Sequence, residues 1–158
     1  MSSNDNQQLR QCLGRFATGV TVVTCQGSRG PCGITANSFS SVSLEPPLVL
    51  WNIAKVSNSL RAYLDAERFA INILGAEQQY LAEHFAQSDH TVFNGIEYDR
   101  SPHGVPLLPG AVAHFECRTQ QTHDCGDHHI IIGEVEKFRS SNRAPLLFHD
   151  GVYKTLGD

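Results

Sequence analysis

The sequence predicts a mainly β fold, an antiparallel β-barrel with peripheral helices. Three observations predict it. Extended segments outnumber helical ones and lie close together along the chain, which favours an antiparallel barrel over alternating βαβ units. Neither glycine pattern of the α/β nucleotide folds is present: no G-x-G-x-x-G follows the first strand, and no G-x-x-x-x-G-K-[ST] occurs anywhere. The size and composition, 158 residues with 41% hydrophobic and 18% charged, suit one packed domain spanning 1–158.

The elements follow in order. Leu9, Cys12, Leu13 and Phe16 recur at i, i+3, i+4 and i+7, so a helix is expected over roughly 5–17, closed by Gly19. VTVVTC (20–25) is β-branched and reads as a strand. A turn, QGSRGP (26–31), leads into the extended segment 32–43, and the two extended segments make a hairpin. LEPP (44–47) breaks the chain before LVLWNI (48–53), which is apolar enough for a strand buried on both faces. Ser57 is placed to cap a short helix carrying Leu60, Tyr63 and Leu64 on one face. RFAINIL (68–74) alternates and reads as a strand, and 76–87 reads as an amphipathic helix with Leu81 and Phe85 inward. The stretch 88–110 is rich in glycine and proline and reads as loop. Segments 111–124, 128–139 and 147–156 form a closing set of three strands. The total is six or seven strands and three short helices, with no internal repeat and no linker.

Composition narrows the function. Lys and Arg number 12 against 16 Asp and Glu, a net charge of −4, and no basic stripe tracks a phosphate backbone, which argues against nucleic acid. The apolar runs are too short to span a bilayer, and the N-terminal stretch has no signal-peptide core, so the expected location is the cytoplasm with no membrane association. Five cysteines, at 12, 25, 32, 117 and 125, are odd in number and include no C-x-x-C. They read as free thiols.

Three constellations carry possible chemistry. In GITANSFSSVSLEPPLVLW (33–51), short polar side chains including Thr35, Asn37, Ser38 and Ser43 flank backbone that a planar heterocycle can approach closely. The same composition also describes an edge strand rich in Ser and Thr. In NIAKVSNSL (52–60), Lys55, Ser57 and Ser59 at a helix start resemble a phosphate cradle, or equally an ordinary serine cap beside a solvated lysine. In HDCGDHHIIIGEV (123–135), His123, Cys125, His128 and His129 supply zinc-ligand types. Adjacent histidines on a strand point to opposite faces and cannot share one tetrahedral shell, so no metal is expected. One imidazole then faces a cleft and the other solvent, or both are surface residues. Cys125 beside His128 is a possible thiol–imidazole pair, but no spacing singles it out, and no G-x-S-x-G elbow exists.

With these segments in order, the chain resembles the flavin reductase-like family, the small reductase components of two-component flavin-dependent monooxygenases. The blocks that carry the resemblance are FATGVTVVT (16–24), GITANSFSSVSLEPPLVLW, KVSNS, FAINIL, VPLLPGAVAHFECR, GDHHIIIGEV and LLFHDGVYKTL. The resemblance implies an FMN-binding split β-barrel of antiparallel Greek-key type, a homodimer, with FMN or FAD as flavin and NADH or NADPH as co-substrate. It implies Thr35, Ala36, Asn37 and Ser38 along the isoalloxazine and ribityl part, with Ser43 nearby. Asn52, Lys55, Ser57, Asn58 and Ser59 fall along the ribityl-phosphate path. Asp127 and His128 fall at the nicotinamide nucleotide, with His128 as the catalytic contact, and Phe93 and Tyr153 near the cleft. His84 stands before Phe85 where relatives often carry arginine, and a neutral imidazole is a weaker phosphate partner.

The implied activity is hydride transfer from a nicotinamide nucleotide to flavin, with reduced flavin passing by diffusion to a partner monooxygenase. Two alternatives share the barrel: a flavin- or haem-binding module without catalysis, and an oxidase of the pyridoxamine-phosphate type. The latter calls for a cluster of Arg and Lys that the sequence lacks.

Overall fold

The computed structural model describes residues 1–87 and 92–157. Part of the loop expected over 88–110 thus lies outside the described residues.

Helix α1 (Ser3–Gly14) begins earlier than periodicity alone indicates because Ser2 caps it, in a reciprocal box with Asp5. It ends at Arg15, and Gly19 belongs instead to the short strand β1 (Thr18–Gly19). Hairpin β2 (Thr21–Gly27) and β3 (Gly30–Ala36) closes through a two-residue turn, tighter than the six residues expected. Strand β4 (Ser40–Leu44) and β5 (Pro47–Ala54) follow, joined across the cis Glu45–Pro46 peptide. Helix α2 (Leu60–Asp65), β6 (Arg68–Ile73) and α3 (Gln79–Phe85, preceded by a 3₁₀ turn at 76–78) come next. The region 99–107 holds a small pair, β7 (Asp99–Arg100) with β8 (Pro106–Leu107). Two long strands, β9 (Ala113–Cys125) and β10 (His128–Ser140), precede the terminal hairpin of β11 (Leu147–His149) and β12 (Val152–Lys154).

Seven strands form one antiparallel sheet in the order β3-β2-β6-β9-β10-β5-β4. The sheet curls until β3 approaches β5 without pairing to it, so the barrel is closed on one flank and split on the other. The expected closing set of three strands is corrected: β9 and β10 join this sheet, whereas β11 pairs with β12 on one side and β1 on the other in a separate small sheet. The barrel interior holds Val23, Trp51, Ile53, Tyr63, Phe69, Ile71, Cys117 and Ile131. A second apolar cluster, between β2 and α3, holds Leu81, Ala82, Phe85 and Phe93.

Two strands differ from their expected burial for one reason. Strand β6 sits between β2 and β9 and is buried on both faces, so its sequence alternation does not become in-and-out alternation. Strand β5, apolar throughout, instead alternates: Val49, Trp51 and Ile53 are buried while Leu48, Leu50, Asn52 and Ala54 are half-buried. Its second face borders the split. Packing on the closed flank is tight. A Cβ on Gly133 would lie 2.4 Å from Phe69 Cζ and 2.9 Å from Cys117 Cβ, so only glycine lets β10 close over that ring. No helix among the described residues is long and apolar enough to cross a membrane.

Candidate functional site

The split is where backbone hydrogen-bonding groups go unpaired. The β4–β5 ladder stops at Ser40↔Leu50, while β10 pairs with β5 as far as Ala54. One edge of β5 from Trp51 to Ala54 is therefore open, facing the outer edge of β3. Ser38 bridges part of that gap. Its hydroxyl accepts from Asn52 N at 2.9 Å and lies 3.4 Å from Asn52 O.

Between these edges lies a cavity of about 470 Å³, lined by residues 34–38 of β3 and its exit, 51–54 of β5, and Cys125, Asp127, His128 and Ile130. That volume falls in the range of cofactor sites, about 300–1,000 Å³. Asn52, whose side chain is on the half-buried face of β5, carries a buried oxygen, Oδ1, with no protein partner, whereas the unpaired Trp51 Nε1 belongs to an indole packed into the barrel interior against Tyr63 and Phe69. A buried acceptor and an open strand edge beside a cavity suit a flat heterocycle that presents its own N–H and C=O groups. The residues present thus fit a flavin ring. Thr35 donates its hydroxyl to Ala82 O at 2.7 Å, which ties the cavity wall to α3.

The far rim is the β9–β10 turn. Gly126, at φ +62, holds the first central position of a two-residue hairpin loop, as a type II′ turn requires. Asp127 and His128 follow, with His128 Nδ1 2.6 Å from Asp127 Oδ1. A carboxylate only accepts, so Nδ1 carries the hydrogen and Nε2 is the ring's remaining polar atom. The same hydrogen bond, followed by the charge of a protonated imidazole, holds the Asp127 carboxyl below its usual range. Of the adjacent histidines, His128 lines the cavity and His129 does not, in keeping with strand alternation.

The structure brings Thr35, Ala36, Asn37, Ser38, Asn52, Asp127 and His128 to one wall. Other expected residues lie outside it. Ser43 pairs with Leu48 in the β4–β5 ladder. Lys55 is ion-paired with Asp124 at 2.5 Å, and this bond lowers the Asp124 carboxyl. The expected cap is corrected: Ser59, not Ser57, is the N-cap of α2, and its side chain makes no cap bond. Ser57 Oγ meets Ser59 Oγ at 3.2 Å instead, because Ser57 N closes a turn onto Ala54 O. Asn58 sits between them, exposed. His84 Nε2 lies 2.6 Å from Val92 O, and its ring packs edge-on against Phe85. Phe85, expected with His84 among the cofactor-binding residues, has its side chain fully buried against Phe93, in the core beneath the wall. Tyr153 stacks on Phe148, and burial raises its phenol. Sequence reasoning missed Ile34, Trp51, Ile53, Ala54, Cys125 and Ile130. The signal for most of them was the end of the β4 pairing, which no single-strand pattern reveals.

Comparison with known proteins places the chain among flavin reductases. The model of the flavin reductase like domain matches residues 13–157. The chain is 44% identical over 149 residues to the FMN reductase (NADH) SmoA of Agrobacterium fabrum, covering 94% of this chain and 85% of that protein. It is 45% identical over 153 residues to the reductase component of the flavin-dependent trigonelline monooxygenase of Acinetobacter baylyi, covering 96% of this chain but 49% of that longer protein. Among solved structures, the NADH:FAD oxidoreductase SgcE6 of Streptomyces globisporus, in complex with NAD and FAD fragments, superposes with a TM-score of 0.91 at 40% identity, covering 98% of this chain and 94% of that one.

Proposed function

The chain belongs to the flavin reductase-like family, and from that premise we propose that the split between β3 and β5 seats the flavin ring and the β9–β10 turn receives the nicotinamide nucleotide. The protein is an NAD(P)H-dependent flavin reductase that serves a monooxygenase partner. The single observation that carries the placement is the cavity wall itself, where Asn52 Oδ1 stands buried and unpaired beside an open strand edge.

A bound flavin supplies a two-electron acceptor at N5 for the hydride from nicotinamide C4. The chain's own residues orient and shield. Small side chains at Ala36 and Ser38 let a ring lie flat against the main chain. Asn52 offers its amide oxygen as an acceptor, and the open β5 edge offers main-chain groups beside it. Ile34, Ile53 and Ile130 exclude water from one side, which strengthens every hydrogen bond made there. His128, its tautomer set by Asp127, presents Nε2 to the incoming nucleotide. Lys55, Ser57, Asn58 and Ser59 lead away from the ring towards α2 and accommodate the ribityl-phosphate arm. For Lys55 to meet a phosphate it must exchange Asp124 for it.

The working unit is a homodimer. In the single chain α1 has no buried residue, though Leu13 is 64% and Phe16 78% exposed, and Leu44 and Val56 are more than nine-tenths exposed. Apolar surface on this scale asks for a partner copy. Reduced flavin leaves by diffusion to the oxygenase, in the cytoplasm.

The test is a panel of FMN and FAD with NADH and NADPH, following loss of NAD(P)H absorbance. Flavin-dependent oxidation is expected, and Ala36→Trp, which fills the cavity, should cut it at least about tenfold, equivalent to 1.4 kcal/mol. Full activity in the filled variant would move the flavin elsewhere.

A further inference from the structure

We propose that Cys25 and Cys32 form a dithiol site that hydrogen peroxide converts to a disulfide. The two residues are direct Cα partners across the antiparallel β2–β3 hairpin. Opposed residues in such a pair have Cα atoms about 4.5–5.5 Å apart, inside the window of about 4.4–6.8 Å that a disulfide bridges. Their side chains share one face of the sheet and the same apolar cluster. Cys25 is fully buried, whereas Cys32 is half-buried and reachable by a small oxidant. All five cysteines are thiols in this structure, and the other three are not strand partners of this pair.

The environment divides the labour between the two sulfurs. A hydrogen bond from the Cys25 thiol lowers the Cys32 thiol below its ordinary value. The same bond, with burial, pushes Cys25 up. Cys32 is thus the thiolate that attacks, and Cys25 is the resolving thiol.

The chemistry balances. Cys32 sulfur attacks one peroxide oxygen, the O–O bond breaks, and Cys32 sulfenic acid forms as hydroxide leaves and takes a proton to become water. Cys25 sulfur then displaces the sulfenic hydroxyl, forming the S–S bond, and its proton leaves with that hydroxyl as a second water. Both sulfurs are oxidised and both peroxide oxygens are reduced to water. Resting on the reductase reading, the oxidant has a local source: reduced flavin that meets dioxygen before the partner oxygenase returns to oxidised flavin and gives hydrogen peroxide. A disulfide here would staple the hairpin two residues before Ile34, where the cavity wall begins.

The experiment adds hydrogen peroxide directly, so it does not depend on reductase activity. The reduced full-length protein is treated with peroxide, remaining thiols are alkylated, and the digest is mapped by mass spectrometry. The expected product is a Cys25–Cys32 linked peptide pair that dithiothreitol separates. Cys32→Ser should abolish that product, and Cys25→Ser should stop at a Cys32 sulfenic acid trapped by a 1,3-diketone. Recovery of Cys25 and Cys32 both alkylated while exposed Cys12 and Cys125 are oxidised would overturn the proposal, as would either joined to a different cysteine. The wild-type result stands even if a variant misfolds.

Discussion

The closed flank of the barrel and its split side are built from the same sheet but filled differently. On the closed flank Phe69 is buried against Trp51, with ring centroids 6.2 Å apart, and Gly133 admits its edge. On the split side, residues 34–38 and 51–54 leave about 470 Å³ open and Asn52 Oδ1 unsatisfied. Against β6, β9 and β10, a smaller cavity of about 200 Å³ is bordered by the Arg68–Glu136 ion pair, whose charges already answer each other. The difference separates stability from binding: one flank holds the fold, and the other keeps hydrogen-bonding capacity for a ligand.

Breaking the closed flank should produce the largest effect. Phe69→Ala empties a fully packed position and should cost about 3–5 kcal/mol, lowering the melting temperature by roughly 6–20 °C. A melting temperature within 2 °C of wild type would mean the flank is not the stabilising half. The split side should respond in the opposite way. Asn52→Leu removes an unpaired buried acceptor, so the melting temperature should hold while the flavin Kd rises about tenfold, near 1.4 kcal/mol, by titration of flavin fluorescence. His128→Ala, further out on the rim, should raise the KM for NADH several-fold, about 1 kcal/mol, and leave flavin affinity unchanged. Steady-state kinetics with an unaltered NADH KM would remove the imidazole from the nucleotide site.

The smallest effect concerns pH. His114 is buried on β9, with Nε2 2.7 Å from Leu108 O and Nδ1 accepting from Arg139 Nε at 3.3 Å. Burial is the leading cause that lowers its pKa below 6.5, and the Arg139 charge adds to it. As pH falls below 6.5 the unfolded chain takes up a proton that the folded chain refuses, so stability declines with falling pH until the folded value is passed. His114→Asn should flatten that slope, as measured by urea unfolding between pH 7 and pH 5.

Much of this was legible beforehand, for physical reasons. β-Branched runs and hairpin turns are local signals, and they located the strand-forming segments. The block around Thr35–Ser38 and the turn before His128 were legible because small residues and a glycine turn leave traces in sequence. What was not legible depends on pairing between distant strands. The open edge of β5 exists because its pairing with β4 stops at Leu50, opposite Ser40, so Asn52 and Ala54 join the site without any local mark. Phe85 followed a helical period into the core, and that burial keeps its side chain off the cavity lining. Lys55 looked solvated, but the hairpin brings Asp124 to it from 69 residues away.

The most direct test is a crystal structure of the protein soaked with FMN. The account predicts the isoalloxazine ring in the split, against the main chain of residues 35–38 and within hydrogen-bond reach of Asn52 Oδ1 and the β5 edge. A ring bound instead in the cavity beside Arg68 and Lys137, or a split that stays empty at saturating flavin, would contradict it.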